Sequence, residues 1–320
     1  MTISVAMCTY NGTRFLKAQL DSILDQTLQP NEIIICDDCS SDGTVTLARD
    51  LLSDWGGKWQ VVENEANLGF RQNFEKAIQL CHGDIIFLSD QDDVWMPHKI
   101  EEMIWIFRTY PEVVLAFHDA KLVDENLRVL APSFWKTLDF EAARFLKKDY
   151  RQLLGHNVVQ GSACAFRREL VARACPFPEG AIHDEWLALT ALSIGEIFPV
   201  AETLLAYRQW RENALGAGTS TIRERMQKWL FATKKAINIH KKYIDYKCQV
   251  NKIWEQRYGK EIQNRYPELL SCNRLMQKRY ENIRCKKLRL FFLMNVYRAA
   301  YPITGRRMKE LVKDVLAVID

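Results

Sequence analysis

Residues 83–97 read GDIIFLSDQDDVWMP, an apolar run that breaks into three carboxylates within four positions and then meets an aromatic residue and a proline. IIFL, bounded by polar residues, has the composition of a strand buried on both faces. Carboxylates gathered as closely as Asp90, Asp92 and Asp93 raise one another's pKa and repel, so the cluster is costly unless a cation sits among them. The stretch therefore predicts a buried strand whose carboxyl end offers a metal site.

The same pattern recurs toward the amino terminus. ISVAMCTY (3–10) reads as a strand, and TRFLKAQLDSILDQT (13–27) sets Phe15, Leu16, Leu20, Ile23 and Leu24 at helical spacing. PNEIIICDD (30–38) is a second buried-strand run ending in acids, and in SSDGTVTLARDLLSDW (40–55) Ser40, Ser41 and Asp42 supply capping chemistry before a helix. WQVVENE (59–65) and FRQNFEKAIQLC (70–81) repeat the unit. This alternation predicts an α/β domain with a mainly parallel sheet and helices on both faces. Ligands of such sheets bind at the carboxyl ends of the strands. TYN, CDD and SDQDD all fall there, so three polar clusters converge on one crevice. Capping and turn formation explain each cluster singly but not their shared location.

A chain of 320 residues accommodates one large domain, expected over 1–220, and an appendage over 221–320. The two parts differ in charge. Residues 221–320 hold 24 Lys+Arg against 9 Asp+Glu, which leaves 20 against 31 in residues 1–220. An acidic front half suits a cation-dependent site; a basic, helix-rich back half suits an anionic surface or a solvated helical face. No run of 18 apolar residues occurs, and MTISVAMCTYNG lacks the features of a signal peptide, so the chain is expected to be neither exported nor membrane-spanning. Nine scattered cysteines, with Cys36 and Cys39 as the one CxxC, predict reduced thiols in a cytosolic protein rather than a zinc site.

TYNG (9–12), EIIICDDCSSDGT (32–44), NLGFRQN (67–73) and GDIIFLSDQDDVWMPHK (83–99), taken together and in this order, resemble the inverting family 2 glycosyltransferases of GT-A fold, especially bacterial rhamnosyltransferase-like members. The resemblance covers about residues 1–215. It implies a GT-A (nucleotide-diphospho-sugar transferase, Rossmann-like) domain with a C-terminal α-helical extension. It further implies a nucleoside-diphosphate sugar as donor, dTDP- or UDP-linked, and a glycan hydroxyl as acceptor in cell-surface polysaccharide (O-antigen or capsule) synthesis. Asp90-Gln91-Asp92 resembles the DxD motif: Asp92 would bind Mg2+ or Mn2+, Asp90 the ribose or a metal-bound water, and Asp93 would orient the pair. Asp38 would recognise the base, with Thr9, Tyr10 and Asn11 as the pocket wall; Arg71 would meet base or diphosphate, unless it is a surface residue.

Inversion needs a base on the acceptor hydroxyl. GAIHDEWLALTALSIG (180–195) begins a helix with His183, Asp184 and Glu185, a position where acids also serve simply as caps. The resemblance makes Asp184 the catalytic base, with Glu185 as the competing carboxylate because it stands where the family has an aromatic residue. Gln160, Gly161 and Ser162 would line the acceptor pocket, and His118-Asp119 the site. In LLAYRQWRENALG (204–216) Trp210 replaces a usual histidine, so Arg208, Gln209 or Arg211 would meet the phosphates. Trp95, Trp186 and Trp210 either stack on sugars or fill the core.

Helices are expected around 222–258, 267–288 and 290–319. KKLRLFFLMNVYRAAYPITGRRMKEL (286–311) has the make-up of an interfacial helix or of one packed on the domain. Peripheral binding of anionic membrane would suit a polyprenyl-diphosphate-linked acceptor and a place at the inner face of the cell membrane. No nucleic-acid partner is expected, and the sequence fixes no oligomeric state. Two other readings remain: a sugar nucleotidyltransferase, for which TYNGTR is a poor glycine-rich loop, and a non-catalytic scaffold of the same fold binding anionic partners through the basic tail.

Overall fold

In a computed structural model, which describes residues 1–210 and 234–284, the apolar runs form strands and the periodic stretches form the helices between them. β1 (Ile3–Thr9), α1 (Thr13–Leu24), β2 (Glu32–Asp37), α2 (Thr44–Leu52), β3 (Lys58–Glu63), α3 (Phe70–Leu80) and β4 (Ile85–Ser89) follow in strict alternation. Every residue of β1, β2 and β4 is buried, while β3 is largely exposed. β1 pairs in parallel with β2 and β4, and β2 in parallel with β3. The periodic residues Phe15, Leu16, Leu20 and Ile23 form the buried face of α1.

The later elements are β5 (Val94–Trp95), α4 (Lys99–Thr109), β6 (Val113–Val123), β7 (Val129–Ala131), the short helices α5 (Phe134–Thr137), α6 (Ala142–Leu146) and α7 (Arg151–Gly155), a 3-10 turn (Gly161–Ala163), β8 (Cys164–Arg167), α8 (Glu169–Ala174), α9 (His183–Ile194) and β9 (Glu196–Arg208). The nine-stranded sheet runs β3-β2-β1-β4-β8-β6-β9-β5, with β7 on β6. It is parallel from β3 to β4 and mixed beyond. β8 lies antiparallel to both β4 and β6, β9 parallel to β6, and β5 antiparallel to β9. The reversal has a consequence for the crevice. β8 starts beside the carboxyl end of β4, pairing Ala165 with Phe87 and Arg167 with Ile85, so the 3-10 turn that precedes it sits at the acidic end of the sheet.

Among the described residues, 1–146 with 159–210 form one compact unit and 147–158 with 234–284 a second. The second contains α10 (Lys234–Arg265) and α11 (Pro267–Arg284). α10 extends past the expected end and stops just before Tyr266, because the residue preceding Pro267 is disfavoured in helical conformation. α7, a helix too short to satisfy its own last carbonyls, is received by this hairpin. Lys247 and Asn251 donate to the carbonyls of Leu153 and Leu154 at 3.1 Å each, and the Tyr243 hydroxyl donates to Gly155 at 2.7 Å. The expected boundary at 220, Arg211, the start of the first tail helix, and the interfacial stretch 286–311 lie outside the described residues. Among those described, no helix is long and apolar enough to cross a membrane, and no disulfide joins any cysteines.

Candidate active site

The first two strand ends are woven into one loop system. Thr9 donates through Oγ1 to Asp37 Oδ2 (2.7 Å), and Ser40 supplies its amide to Asp37 Oδ1 (2.8 Å) and its hydroxyl to Asp37 Oδ2 (2.7 Å). Asn11, in the left-handed region at φ 47, accepts from the Ser41 amide and donates its own amide to Ser40 Oγ. Ser40 and Ser41 therefore tie loops together, and Asp42 alone performs the expected capping, accepting from the amides of Thr13 and Thr44 at the starts of α1 and α2. Tyr10 is half exposed, its backbone clamped by the Gln91 side-chain amide, which accepts from its N–H (2.8 Å) and donates to its carbonyl (2.9 Å). A Cβ at Gly12 would overlap that amide, which is why this position holds glycine.

Asp38 is buried and organises the 64–69 loop. Its Oδ1 accepts from Asn64 Nδ2 (3.0 Å) and the Leu68 amide (2.7 Å), and its Oδ2 from the Gly69 amide (2.9 Å). Four lone-pair directions on a carboxylate leave one on Oδ2 beyond these three bonds. Arg71 lies over Phe70 (5.4 Å), with Nε buried and unpartnered. Its charge, after burial, helps hold His183 down at about 3.

The acids at the end of β4 are held from β9. Asp93 is fully buried and accepts the Arg208 amide at Oδ1 (3.0 Å), with no hydrogen bond at Oδ2. The Arg208 guanidinium donates through Nε to the Asp92 carbonyl (2.7 Å) and through Nη1 to the Glu125 carbonyl, and it lies over Phe15 at 4.3 Å. Arg208 is 3% exposed, and through these bonds it braces the acid loop against the end of β9. Trp210 donates its indole N–H to Asp92 Oδ2 at 2.6 Å. Burial pushes the carboxyls of Asp90, Asp92 and Asp93 up. Asp92 and Asp184 push Asp90 further, and Asp92 and Asp90 do the same to Asp93.

Asp184 is thus close enough to Asp90 for each to feel the other's charge, although 94 residues separate them in sequence. The first turn of α9 carries it, and the 3-10 turn positions it: the Gly161 amide donates to Asp184 Oδ2 (3.0 Å) and the Glu185 amide to Oδ1 (2.7 Å). His183 stacks on Phe74 (4.2 Å, 17°) with both ring nitrogens buried and unpartnered, so the ring is neutral and packs like an aromatic residue. A Cβ on Gly161 would sit 2.7 Å from His183 Nε2 and 3.7 Å from Asp184 Oδ2. Gln160 donates to Ser162 Oγ (3.2 Å). Glu185 is 1% exposed.

Two tryptophans have no face for a sugar. Trp186 is fully buried, its N–H on the Ala174 carbonyl (2.9 Å), and Trp95 is 2% exposed beneath Lys99 Nζ, 3.6 Å from its ring centroid. Both fill the core because they face inward from α9 and β5. Asp119 is structural too, bonded to the amides of Ala120 and Trp135 and to the Ser133 hydroxyl, while His118 is buried and binds the Asp119 carbonyl at 2.7 Å.

Lys99, to which sequence reasoning gave no role, is fully buried below the acids. It donates to the Ser162 carbonyl at 2.5 Å. Burial drives its pKa down to about 7, against the pull of Asp93, Cys164 and Asp90. Lys99 thus anchors the turn that holds Asp184, and its charge opposes the upward push on Asp90. A signal was available: a lysine directly after MPH that opens a helix and shares its buried face with Ile100, Met103 and Ile104.

Thr9 and Asp37 thus tie the ends of β1 and β2, Gln91 ties the loop after β4 to that after β1, and the Gly161 turn holds the first turn of α9 at the same end of the sheet. A sequence model described as glycosyl transferase family 2 matches residues 4–174, more than half of the chain. The chain belongs to glycosyl transferase family 2. An uncharacterized protein of Mycobacterium tuberculosis is 24% identical over 233 residues, 71% of this chain and 63% of that protein, so the match spans under two thirds of that relative's length. The dTDP-rhamnosyl transferase RfbG of Shigella flexneri is 25% identical over 224 residues, 67% of this chain and 75% of RfbG. The fold is GT-A. S. aureus TarS in complex with UDP-GlcNAc superposes with a TM-score of 0.59 at 14% identity, covering 100% of this chain and 91% of that one. The mannosyltransferase PcManGT from Pyrobaculum calidifontis, in complex with GDP-Man and Mn2+, gives 0.58 at 15%, covering 99% and 86%.

Proposed function

We propose that this family 2 chain is an inverting, divalent-cation-dependent glycosyltransferase. It would move a sugar from a dTDP- or UDP-linked donor to a hydroxyl of a glycan acceptor carried on polyprenyl diphosphate, in cell-surface polysaccharide synthesis. The observation that carries this reading is the 3-10 turn before β8: its Gly161 amide holds Asp184 Oδ2 at 3.0 Å and so brings a carboxylate of α9 to the end of the sheet where the acids follow β4.

Asp184, oriented by the Gly161 amide, would remove the acceptor's proton as its oxygen attacks the anomeric carbon opposite the diphosphate. Asp38 would accept from the nucleobase at the one lone pair of Oδ2 left by its loop bonds, with Tyr10 against the base. Asp90 and Asp92 are the residues that would hold the cation. The donor set fits Mg2+ or Mn2+: both are hard oxygen ligands on a half-buried loop, and such ions are bound through one or two carboxylates plus substrate phosphates. No group of three ligand-type side chains forms a closed cage among the described residues, and this mode needs none. When bound, the ion would offset the negative charge developing on the departing diphosphate.

Rhamnose is favoured as the sugar by the RfbG relationship. The basic helical region would hold the protein at anionic membrane beside its lipid-linked acceptor. The test is release of nucleoside diphosphate from a panel of dTDP- and UDP-sugars with Mn2+. One donor should be turned over, EDTA should abolish turnover, and Asp184→Asn should bind the donor yet transfer nothing. Ordinary turnover by Asp184→Asn refutes the base assignment; pyrophosphate release would point to a nucleotidyltransferase.

A further inference from the structure

Asp92 is gripped twice from the end of β9: Arg208 Nε on its carbonyl at 2.7 Å and Trp210 Nε1 on its Oδ2 at 2.6 Å. The indole is itself fixed. Phe15 meets it edge-on with centroids 5.3 Å apart and planes at 70°, and the Arg14 guanidinium lies 5.9 Å over its ring while paired with Glu125. An indole has one polar hydrogen and accepts nothing, so this contact can only donate.

We propose that Trp210 is a positioning residue that takes one of the two lone pairs of Asp92 Oδ2 and fixes the direction of the carboxylate. Oδ1 is left as the less encumbered oxygen for a cation, which would favour a small ion served by single oxygens over a large one that uses both. The inference rests on the reading of Asp92 as a cation ligand given above. Mg2+ and Mn2+ are served by single oxygens at octahedral positions, whereas Ca2+ takes six to eight ligands and readily uses both oxygens of one carboxylate. A hydrogen bond to a ligating carboxylate also fixes its direction, and loss of such a partner typically lowers metal affinity about 10–100-fold. Position 210 thus contributes to the site without touching the ion, through a donor in the second layer.

The test measures Mn2+ binding by electron paramagnetic resonance on the full chain, with UDP or dTDP present and Ca2+ as competitor. Three proteins are compared: the parent, Trp210→Phe, which keeps the ring and loses the N–H, and Asp92→Ala. The parent should prefer Mn2+ to Ca2+. Trp210→Phe should bind Mn2+ about 10–100-fold more weakly, and its preference over Ca2+ should shrink. Asp92→Ala should lose cation binding. If Asp92→Ala binds Mn2+ like the parent, the ligand assignment itself is wrong. If Asp92→Ala fails to bind but Trp210→Phe keeps both affinity and preference, only the role of Trp210 is refuted. Should Trp210→Phe not fold, the parent still decides: equal affinity for Ca2+ and Mn2+ overturns the proposal.

Discussion

Asp90 is a carboxyl whose environment opposes its charge, through burial first and then through Asp92 and Asp184. Its folded pKa is raised above the unfolded value, so the folded state keeps a proton that the unfolded state has released. Stability contributed at this group therefore falls as pH rises from the unfolded pKa toward the raised one, and stays low above it. Asp90→Asn removes that penalty. Without metal, the melting temperature of the variant should gain on the parent between pH 4 and pH 8; a constant difference would mean that Asp90 ionises as freely as a surface aspartate. Gly161 offers a second test at this scale. Gly161→Ala would push a methyl group against His183 Nε2 and toward Asp184 Oδ2. Misplacement of a catalytic group by about 1 Å costs on the order of 100-fold, so kcat should drop by about that factor while donor KM stays put. A change in donor KM with kcat intact would show that the turn serves the nucleotide and not the base.

Among elements, α9 is a core helix that also carries the proposed base. His183 to Ser193 are all buried, and a helix surrounded on every side takes its position from packing, not from propensity. Trp186 anchors it, fully buried and bonded to the Ala174 carbonyl. Trp186→Ala should destabilise the chain by about 3–5 kcal/mol in urea unfolding, and a loss below about 1 kcal/mol would mean that the neighbours collapse into the space. The alternating strands and helices of the first ninety residues were legible because continuous apolar runs and 3.6-residue spacing are local signals. β5, β7 and the short helices of 134–155 were not, being held by partners distant in sequence. Thus Trp95 pairs with Leu205 in the sheet, and α7 is capped by α10.

Across the whole chain the charge asymmetry is the property on which the proposed membrane association rests. Exposed Lys242, Lys252, Arg257 and Lys260 lie along α10, within a region where bases outnumber acids 24 to 9 over residues 221–320. Each basic residue near an anionic surface contributes about 1 kcal/mol, screened within a Debye length. The proposed membrane association predicts sedimentation with vesicles containing anionic lipid at low salt, release above about 0.5 M salt, and none with zwitterionic vesicles. Equal, weak pelleting with both vesicle types would remove the membrane from the reading.

The sequence by itself determined the α/β alternation, the burial of the first strands and the placing of three polar clusters at strand ends. All of these follow from side-chain periodicity along a single stretch of chain. It also pointed to the family, since motif order is a property of sequence. Only the tertiary structure decided which polar residue meets which. β8 runs back antiparallel from the mouth of β4, so Gly161 comes to hold Asp184 near Asp90. β9 ends beside the acid loop, so Arg208 turns into a brace and Trp210 a donor to Asp92. Lys99 comes to bind the Ser162 carbonyl because sheet order brings the turn before β8 beside the start of α4, which no local pattern encodes.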